Sequence, residues 1–403
     1  MSRIDELIED LCPGGVEFKK LSSIVDVVQA PKKIQSKNYL KTGQFPIIDQ
    51  GQSDIVGYTD DKSTLLPAGE YVLFGDHTLS IKYVDFKFAQ GADGLKILRA
   101  KPNISTRYLY HCCLQFKIPS RGYSRHWTYM KEVKFPIPPL PVQEEIARIL
   151  DTFTGLEAEL EAELEARKKQ NEYYRARLLT LNKPTGFNHI DQLIKKLCPN
   201  GAPFLSLDPI CLKITDGAHS SPKAVEHGYF MPSVKDMRTD GFNFSECKQI
   251  AKSDYELLLR NGCKPKINDV LVAKDGSMLK YAFVVNEEMD IVVLSSIAIF
   301  RPKTEIIHPK FLVHFLMQGW FKEFVIREYS SKGGVPRIIL KNFKKIQIPV
   351  PPLPVQEQIV QILDRFDALC NDLTSGIPAE IAGRRKQYEY YRDKLLTFKE
   401  LKA

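Results

Sequence analysis

Asp49, followed by Asp60-Asp61-Lys62, offers a carboxylate and an Asp-x-Lys triplet. Metal-dependent nucleases use such groups to hold a divalent ion and activate water. The triplet lies in a turn-rich stretch where short acidic clusters arise from composition alone, so it is weak evidence for a metal site. Asp76-His77 in FGDHT, and Asp216 with His219 in TDGAHSSP, could each form an acid–base pair. An Asp beside a His without further ligands reads instead as a hydrogen-bonded structural or substrate-contacting pair. The chain has no GxxxxGK[ST] phosphate cradle, no GxGxxG after a strand, no GxSxG and no HExxH. It also lacks the Asn/Asp-Pro-Pro-aromatic stretch of a base methyltransferase. These residues can bind; they do not compose a catalytic centre.

The binding inventory points to nucleic acid. Within seven residues, Arg121, Tyr123, Ser124, Arg125, His126 and Trp127 combine charge, hydrogen bonding and stacking, which suits a groove or a displaced base. A second basic glycine loop, SKGGVPRIILKNFKKI (331–346), holds Lys332 and Arg337. Each loop carries G-x-x-R, Gly122 to Arg125 and Gly334 to Arg337. Lys32, Lys33 and Lys37 before the first loop, and His219, Ser220, Lys235, Arg238 and Lys274 before the second, complete the candidate DNA contacts. Charge follows the same division. Residues 25–135 hold 16 basic against 10 acidic residues, and residues 211–348 hold 21 against 15. The whole chain is only +8, so two basic regions alternate with slightly acidic segments, as expected of two polyanion-facing units on a frame that does not touch phosphate.

The frame is written twice. IDELIEDLCPGGVEF (4–18) returns as IDQLIKKLCPNGAPF (190–204), PIPPLPVQEEIARILD (136–151) as PVPPLPVQEQIVQILD (349–364), and RKKQNEYYRARLLT (167–180) as RRKQYEYYRDKLLT (384–397). The offset grows from 186 to 213 to 217, so the enclosed regions differ by 27 residues and the long helices by 4. Prolines stop the strand-like VKFPI before Pro141, which suits a first helical turn. From Val142 the apolar steps of three or four, without Gly or Pro over 156–181, predict a helix of about 40 residues, or roughly 60 Å. Its apolar stripe needs a partner, and the second copy, 355–398, is expected to pack against it antiparallel. Gly376 and Pro378 in LTSGIPAEI predict a break in that copy. Within the first helix, GLEAELEAELEAR (155–167) repeats a Leu-Glu-Ala-Glu tetrad.

The two enclosed regions are not evident repeats of each other, but both read as α/β. FPIID, GEYVLFG and GLKILRA in the first, and NDVLVAKDG, YAFVV and IVVLSSIAIF in the second, are strand-like; PKFLVHFLMQGWFKEFVIREY (309–329) predicts one helix. The expected fold is α/β (α+β): two globular domains separated by two long antiparallel helices, with internal pseudo-two-fold symmetry. The expected segments are 1–24, a globular domain over 25–140, a long helix over 141–187, a repeated frame segment over 188–210, a second globular domain over 211–353 and a second long helix over 354–403. No run reaches the roughly 18 apolar residues of a membrane span. The acidic MSRIDELIEDL lacks a secretion layout. Eight cysteines without CxxC spacing fit reduced thiols in the cytoplasm.

The doubled PPLPVQE-x-I…ILD and RKQ-x-EYYR-x-[RK]LLT resemble the specificity (S) subunits of Type I restriction–modification systems, over essentially the whole chain. FGDHTLSIKYVDFKFAQGADGLKIL and TDGAHSSP resemble two recurrent recognition-domain types. The resemblance implies a non-catalytic subunit that binds double-stranded DNA and joins two adenine-N6 methyltransferase (M) subunits and, in the full complex, restriction/translocase (R) subunits. S-adenosylmethionine, ATP and Mg are then expected on those partners, with no cofactor on this chain. Each domain is implied to read one half of an asymmetric two-part site. The helices are implied to set the spacer and to present Gln143, Gln170, Tyr173, Tyr174 and Arg175, and Gln356, Gln387, Tyr390, Tyr391 and Arg392, to the methyltransferases. Three alternatives are a Type IIB-like recognition subunit with a fused methyltransferase–nuclease partner, a nuclease using Asp49, Asp60 and Lys62, and a scaffold without a DNA role.

Overall fold

The computed structural model describes residues 3–91, 93–116, 124–181, 184–331 and 336–401. Two compact units divide the chain: Met1–Ala162 with Ala379–Ala403, and Glu163–Pro378. The first long helix is continuous over Leu140–Thr180, with Pro141 in its first turn, and the unit boundary falls within its Leu-Glu-Ala-Glu tetrads. The second copy is broken, into Leu353–Asn371 and Ile377–Leu395. Gly376 makes the break possible: a Cβ there would lie 2.6 Å from the Ala368 carbonyl oxygen and 2.8 Å from that of Asp372. The Asp372 carboxylate fastens the link by accepting from the Thr374 N–H at 2.7 Å and from the Ser375 hydroxyl at 2.5 Å.

Each unit pairs one stretch of the first long helix with one half of the second. In the first unit Phe153 stacks on Tyr391 at 5.1 Å, and Arg385 reaches back to Glu157 and Glu161. In the second, Tyr174 stacks on Phe366 at 5.7 Å, and Arg175 forks onto Asp367. Partner numbers fall along one helix as they rise along the other in the first unit, so the pairing there is antiparallel.

The two enclosed regions form domains that share a topology their sequences conceal. The first has a four-stranded antiparallel sheet in the order Val25–Val28, Leu95–Ala100, Tyr71–Gly75, Ile81–Val84. The second orders Cys211–Asp216, Ile297–Pro302, Val270–Ala273, Ala282–Val284 in the same way. Both therefore run first, last, second, third. The first domain adds a small sheet of Phe45–Ile48, Gly57–Thr59 and Ala89–Gln90. Each domain is closed by an antiparallel pair of frame strands, Glu17–Lys20 with Lys134–Ile137 and Phe204–Ser206 with Gln347–Pro349.

A helix follows the last sheet strand in both domains, Thr106–Gln115 and Pro309–Leu316, and docks on the long helices. In the first unit Leu109, Cys112 and Phe135 share a core with Val142, Ile146, Leu150 and Leu395. In the second, Phe311, Leu312 and Phe343 pack with Val355, Ile359 and Leu363.

Two expected elements differ. Residues 309–329 form two helices, Pro309–Leu316 and Gly319–Tyr329, because buried Gln318 and the weak helix former Gly319 interrupt the pattern. In IVVLSSIAIF the strand begins only at Ile297; Val292 and Val293 are buried without a ladder partner. No helix among the described residues is long and apolar enough to cross a membrane, and all eight cysteines are free.

Candidate DNA interface

In the first domain, strand Tyr71–Gly75 ends in a turn that holds the basic loop. Asp76 is buried, and its Oδ1 accepts from the Trp127 N–H at 2.7 Å. Its carbonyl accepts the His126 N–H at 2.9 Å and lies 2.9 Å from His126 Nδ1. His77 Nδ1 meets the Ser124 carbonyl at 3.1 Å, and its N–H donates to Gln50 Oε1 at 3.1 Å. Leu79 closes the turn with φ +59°, bonding back to the Gly75 carbonyl. That conformation is strained for a leucine.

The second domain has a corresponding junction with a longer turn, closed by the Leu279 N–H on the Ala273 carbonyl at 2.9 Å. Strand Val270–Ala273 leads into Lys274-Asp275-Gly276, and the Gly276 N–H donates to the Pro336 carbonyl at 2.8 Å. The Ile338 N–H donates to the Lys274 carbonyl at 3.2 Å, and Asp275 bridges Arg337 along the backbone. Leu279 repeats the strained leucine, at φ +51°. Sequence reading singled out Asp76-His77 and Lys274, but not that each begins a turn that anchors its loop. Their signal is a doubled Asp-[His/Gly]-[Thr/Ser], 76–78 and 275–277, each after an apolar strand.

Several candidate contacts face solvent here. Arg125 and Arg337 are exposed and have no ion partner among the described residues. His219, Ser220, Lys235, Arg238 and Lys37 are exposed, and Ser124 is partly so. Lys32 and Lys33 are exposed but pair with Asp61 at 3.5 Å and Asp93 at 2.6 Å. The loop with Lys235 and Arg238 borders the second turn, because Ser296 Oγ accepts the Val234 N–H while its carbonyl accepts that of Lys274. Arg121, Tyr123 and Lys332, with Gly122 and Gly334, lie outside the described residues.

Three expected contacts are corrected. His126 is fully buried beneath its loop, its ring held between the Asp76 carbonyl and Ser124 Oγ. Trp127 packs on Phe74 at 6.0 Å instead of standing out to stack on a base. The Lys274 ammonium is buried against Asp216 at 2.7 Å, and Asp216 also holds His219 at 3.2 Å. Losing either partner of that pair would strand a buried charge, so Lys274 shapes the turn from within. Asp49 accepts from the Gly51 N–H in a local turn, and Asp60 accepts from the Gln44 N–H sixteen residues away. Among the described residues no group of three or more His, Cys, Asp or Glu is placed to hold a metal.

The helix residues also divide. Gln143 is fully buried: its Oε1 accepts the Ser105 N–H at 2.9 Å, and its Nε2 donates to the Asn103 and Pro138 carbonyls. Gln356 repeats this with His308, Ile306 and Pro351. Tyr174 lies between Phe187 and Phe366, Arg175 is committed to Asp367 and His314, and Arg392 is buried. These five are corrected from partner-facing to internal, since their polar atoms or ring faces are already engaged. Tyr173 and Tyr390 are 53% and 61% exposed. Gln387 is exposed, Gln170 is partly exposed, and Tyr391 keeps an open edge beside Phe153.

The sequence profile of the Type I restriction modification DNA specificity domain matches residues 13–166 and again 235–382. The chain belongs to the Type I specificity-subunit family. It is 30% identical to the Type I restriction enzyme EcoR124I/EcoR124II specificity subunit of Escherichia coli, covering 99% of this chain and 97% of that one. Its fold resembles the crystal structure of the Type-I restriction-modification system S subunit from M. genitalium, with TM-score 0.59 and 14% identity over 95% of this chain and 96% of that one. A chain from a structural study of complex assembly and conformational transition of the type I R-M system gives TM-score 0.55 and 18% identity, covering 96% and 98%. These matches favour the Type I reading over the Type IIB-like alternative. Within the specificity-subunit family, doubling of the domain explains the two turn-and-loop junctions.

Proposed function

We propose that this chain is the DNA-recognition subunit of a Type I restriction–modification complex. Residues 25–140 read one half of an asymmetric bipartite site, and residues 211–353 read the other. The observation that carries this reading is the doubled junction: one sheet topology, a basic loop bonded to the turn that ends the same strand, and different residues at each. A shared station with altered chemistry is what reading two different sequences requires. The chain contributes no catalysis; methylation belongs to two adenine-N6 methyltransferase subunits, and cleavage to restriction/translocase subunits. Their docking surface on the helices includes Tyr173 and Tyr390, the outward members of the repeated tyrosine pairs, with Gln170, Gln387 and Tyr391. The complex works in the cytoplasm, where its DNA lies.

The tetrads set the spacer. Four residues add roughly 6 Å of rise and about 400° of winding, a net 40° beyond a full turn. One base pair of B-DNA advances about 3.4 Å and turns roughly 34–36°. The rotations nearly match, so one tetrad shifts a domain by one base pair while keeping it facing the groove. Leu156 is exposed, while Leu160 and Leu164 are only partly buried, so the repeat is free of a tight core that would fix its length. Mapping adenine methylation genome-wide in cells carrying this chain with its methyltransferase tests the reading. A two-part asymmetric motif with one fixed spacer is expected; a contiguous or palindromic motif overturns it.

A further inference from the structure

Each recognition domain is joined to the long helices by a buried histidine that bonds to both of them. In the first unit His111, on the docking helix Thr106–Gln115, is fully buried. Its Nε2 lies 2.8 Å from Asp151 of the first long helix, and its Nδ1 lies 3.0 Å from the Tyr388 hydroxyl of the second. Arg107, one turn earlier, places Nε 2.8 Å from both Asp151 oxygens and lies over the Tyr83 ring at 4.2 Å.

The second unit repeats the joint. His314 Nε2 meets Asp364 at 2.9 Å, and Lys310 Nζ meets the same carboxylate at 2.6 Å. The long helices exchange roles, because His314 Nδ1 accepts from Arg175 of the first at 3.0 Å. Arg175 is held in turn by Asp367, which also accepts from Asn171 at 2.8 Å. A guanidinium has donors only, so His314 accepts at Nδ1 and donates from Nε2 to Asp364.

The sequence marks these joints inside the divergent regions. Arg107-Tyr-Leu-Tyr-His111 and Lys310-Phe-Leu-Val-His314 share basic-aromatic-Leu-x-His, and both aspartates end the doubled Ile-Leu-Asp. Apolar packing beneath the docking helix is non-directional and tolerates sliding. A hydrogen-bonded network with one donor–acceptor arrangement fixes an angle.

We propose that His111 and His314 are positioning residues for recognition. They hold each domain at one angle on the helix pair, and so restrict the spacer lengths the complex accepts without reading any base. This rests on the bipartite reading above. The test maps methylated sites for complexes carrying His111→Ala, His314→Ala and Tyr388→Phe; the last removes one hydroxyl and keeps the ring should a histidine variant fail to fold. Both half-site sequences are expected to stay unchanged. Sites with a spacer one base pair longer or shorter should gain methylation about tenfold, the worth of ~1.4 kcal/mol of lost discrimination. Folded variants that keep the wild-type spacer alone, or that alter a half-site sequence, overturn the proposal. A wild-type motif that is not bipartite overturns the functional reading itself, which separates the two failures.

Discussion

At the scale of single residues, Arg125 and Arg337 stand out because each is exposed beside a turn anchored from below. A guanidinium there is free to fork onto a guanine edge. Arg125→Ala is expected to weaken or relax recognition of one half-site by about 1–3 kcal/mol and to leave the other unchanged, with Arg337→Ala doing the converse. Binding to duplexes mutated in one half at a time reads this directly, and an equal loss in both halves contradicts the assignment. Residue types marked both basic loops as candidates, and their described ends are bonded to the turns that follow strands Tyr71–Gly75 and Val270–Ala273. They could not give orientation. His126 and Trp127 have suitable chemistry but turn inward, and Lys274 is drawn under the turn by Asp216. Gln143 and Gln356 were legible as a doubled feature, but repetition alone does not distinguish a buried brace from a docking contact.

At the scale of elements, the helix break at Gly376, the long first helix and most strands follow from periodicity and proline placement. The shared sheet order was not legible, because it depends on pairings between distant strands that keep no common residues. Adding one Leu-Glu-Ala-Glu to the first helix is expected to lengthen the recognised spacer by one base pair; an unchanged spacer contradicts the claim that the tetrads set it. The joints carry a pH signature. Burial holds the His111 imidazole below the usual histidine value of 6.5; Asp151 opposes this while Arg107 and Arg392 reinforce it. Burial lowers His308 as well, whose Nδ1 caps the second docking helix. A group depressed in the folded state contributes stability that is complete above its unfolded pKa and lost as pH falls below it. Asp364, held down to about 2 by His314 and Lys310 against its burial, loses its contribution only in strong acid, below the ordinary 3.8. Chemical denaturation should therefore show stability falling from pH 7 to pH 5, and His111→Gln should flatten part of that slope. A wild-type profile that is flat over this range contradicts the account.

At the scale of the whole molecule, one chain presents a doubled frame around two domains with the same sheet and different surfaces. The frame strands, the glutamine braces and the histidine joints recur at matching stations in both units. Beyond Asp-[His/Gly]-[Thr/Ser] and G-x-x-R, the turn-and-loop surfaces do not recur in sequence. Such a molecule separates holding from reading, so its domains should be exchangeable as modules. The measurement that tests this most directly replaces residues 25–135 with the matching region of another family member and maps adenine methylation across the genome. One half of the methylated motif should change while the other half and the spacer remain as in the parent. A motif altered in both halves, or in neither, would contradict the claim that each domain reads its own half.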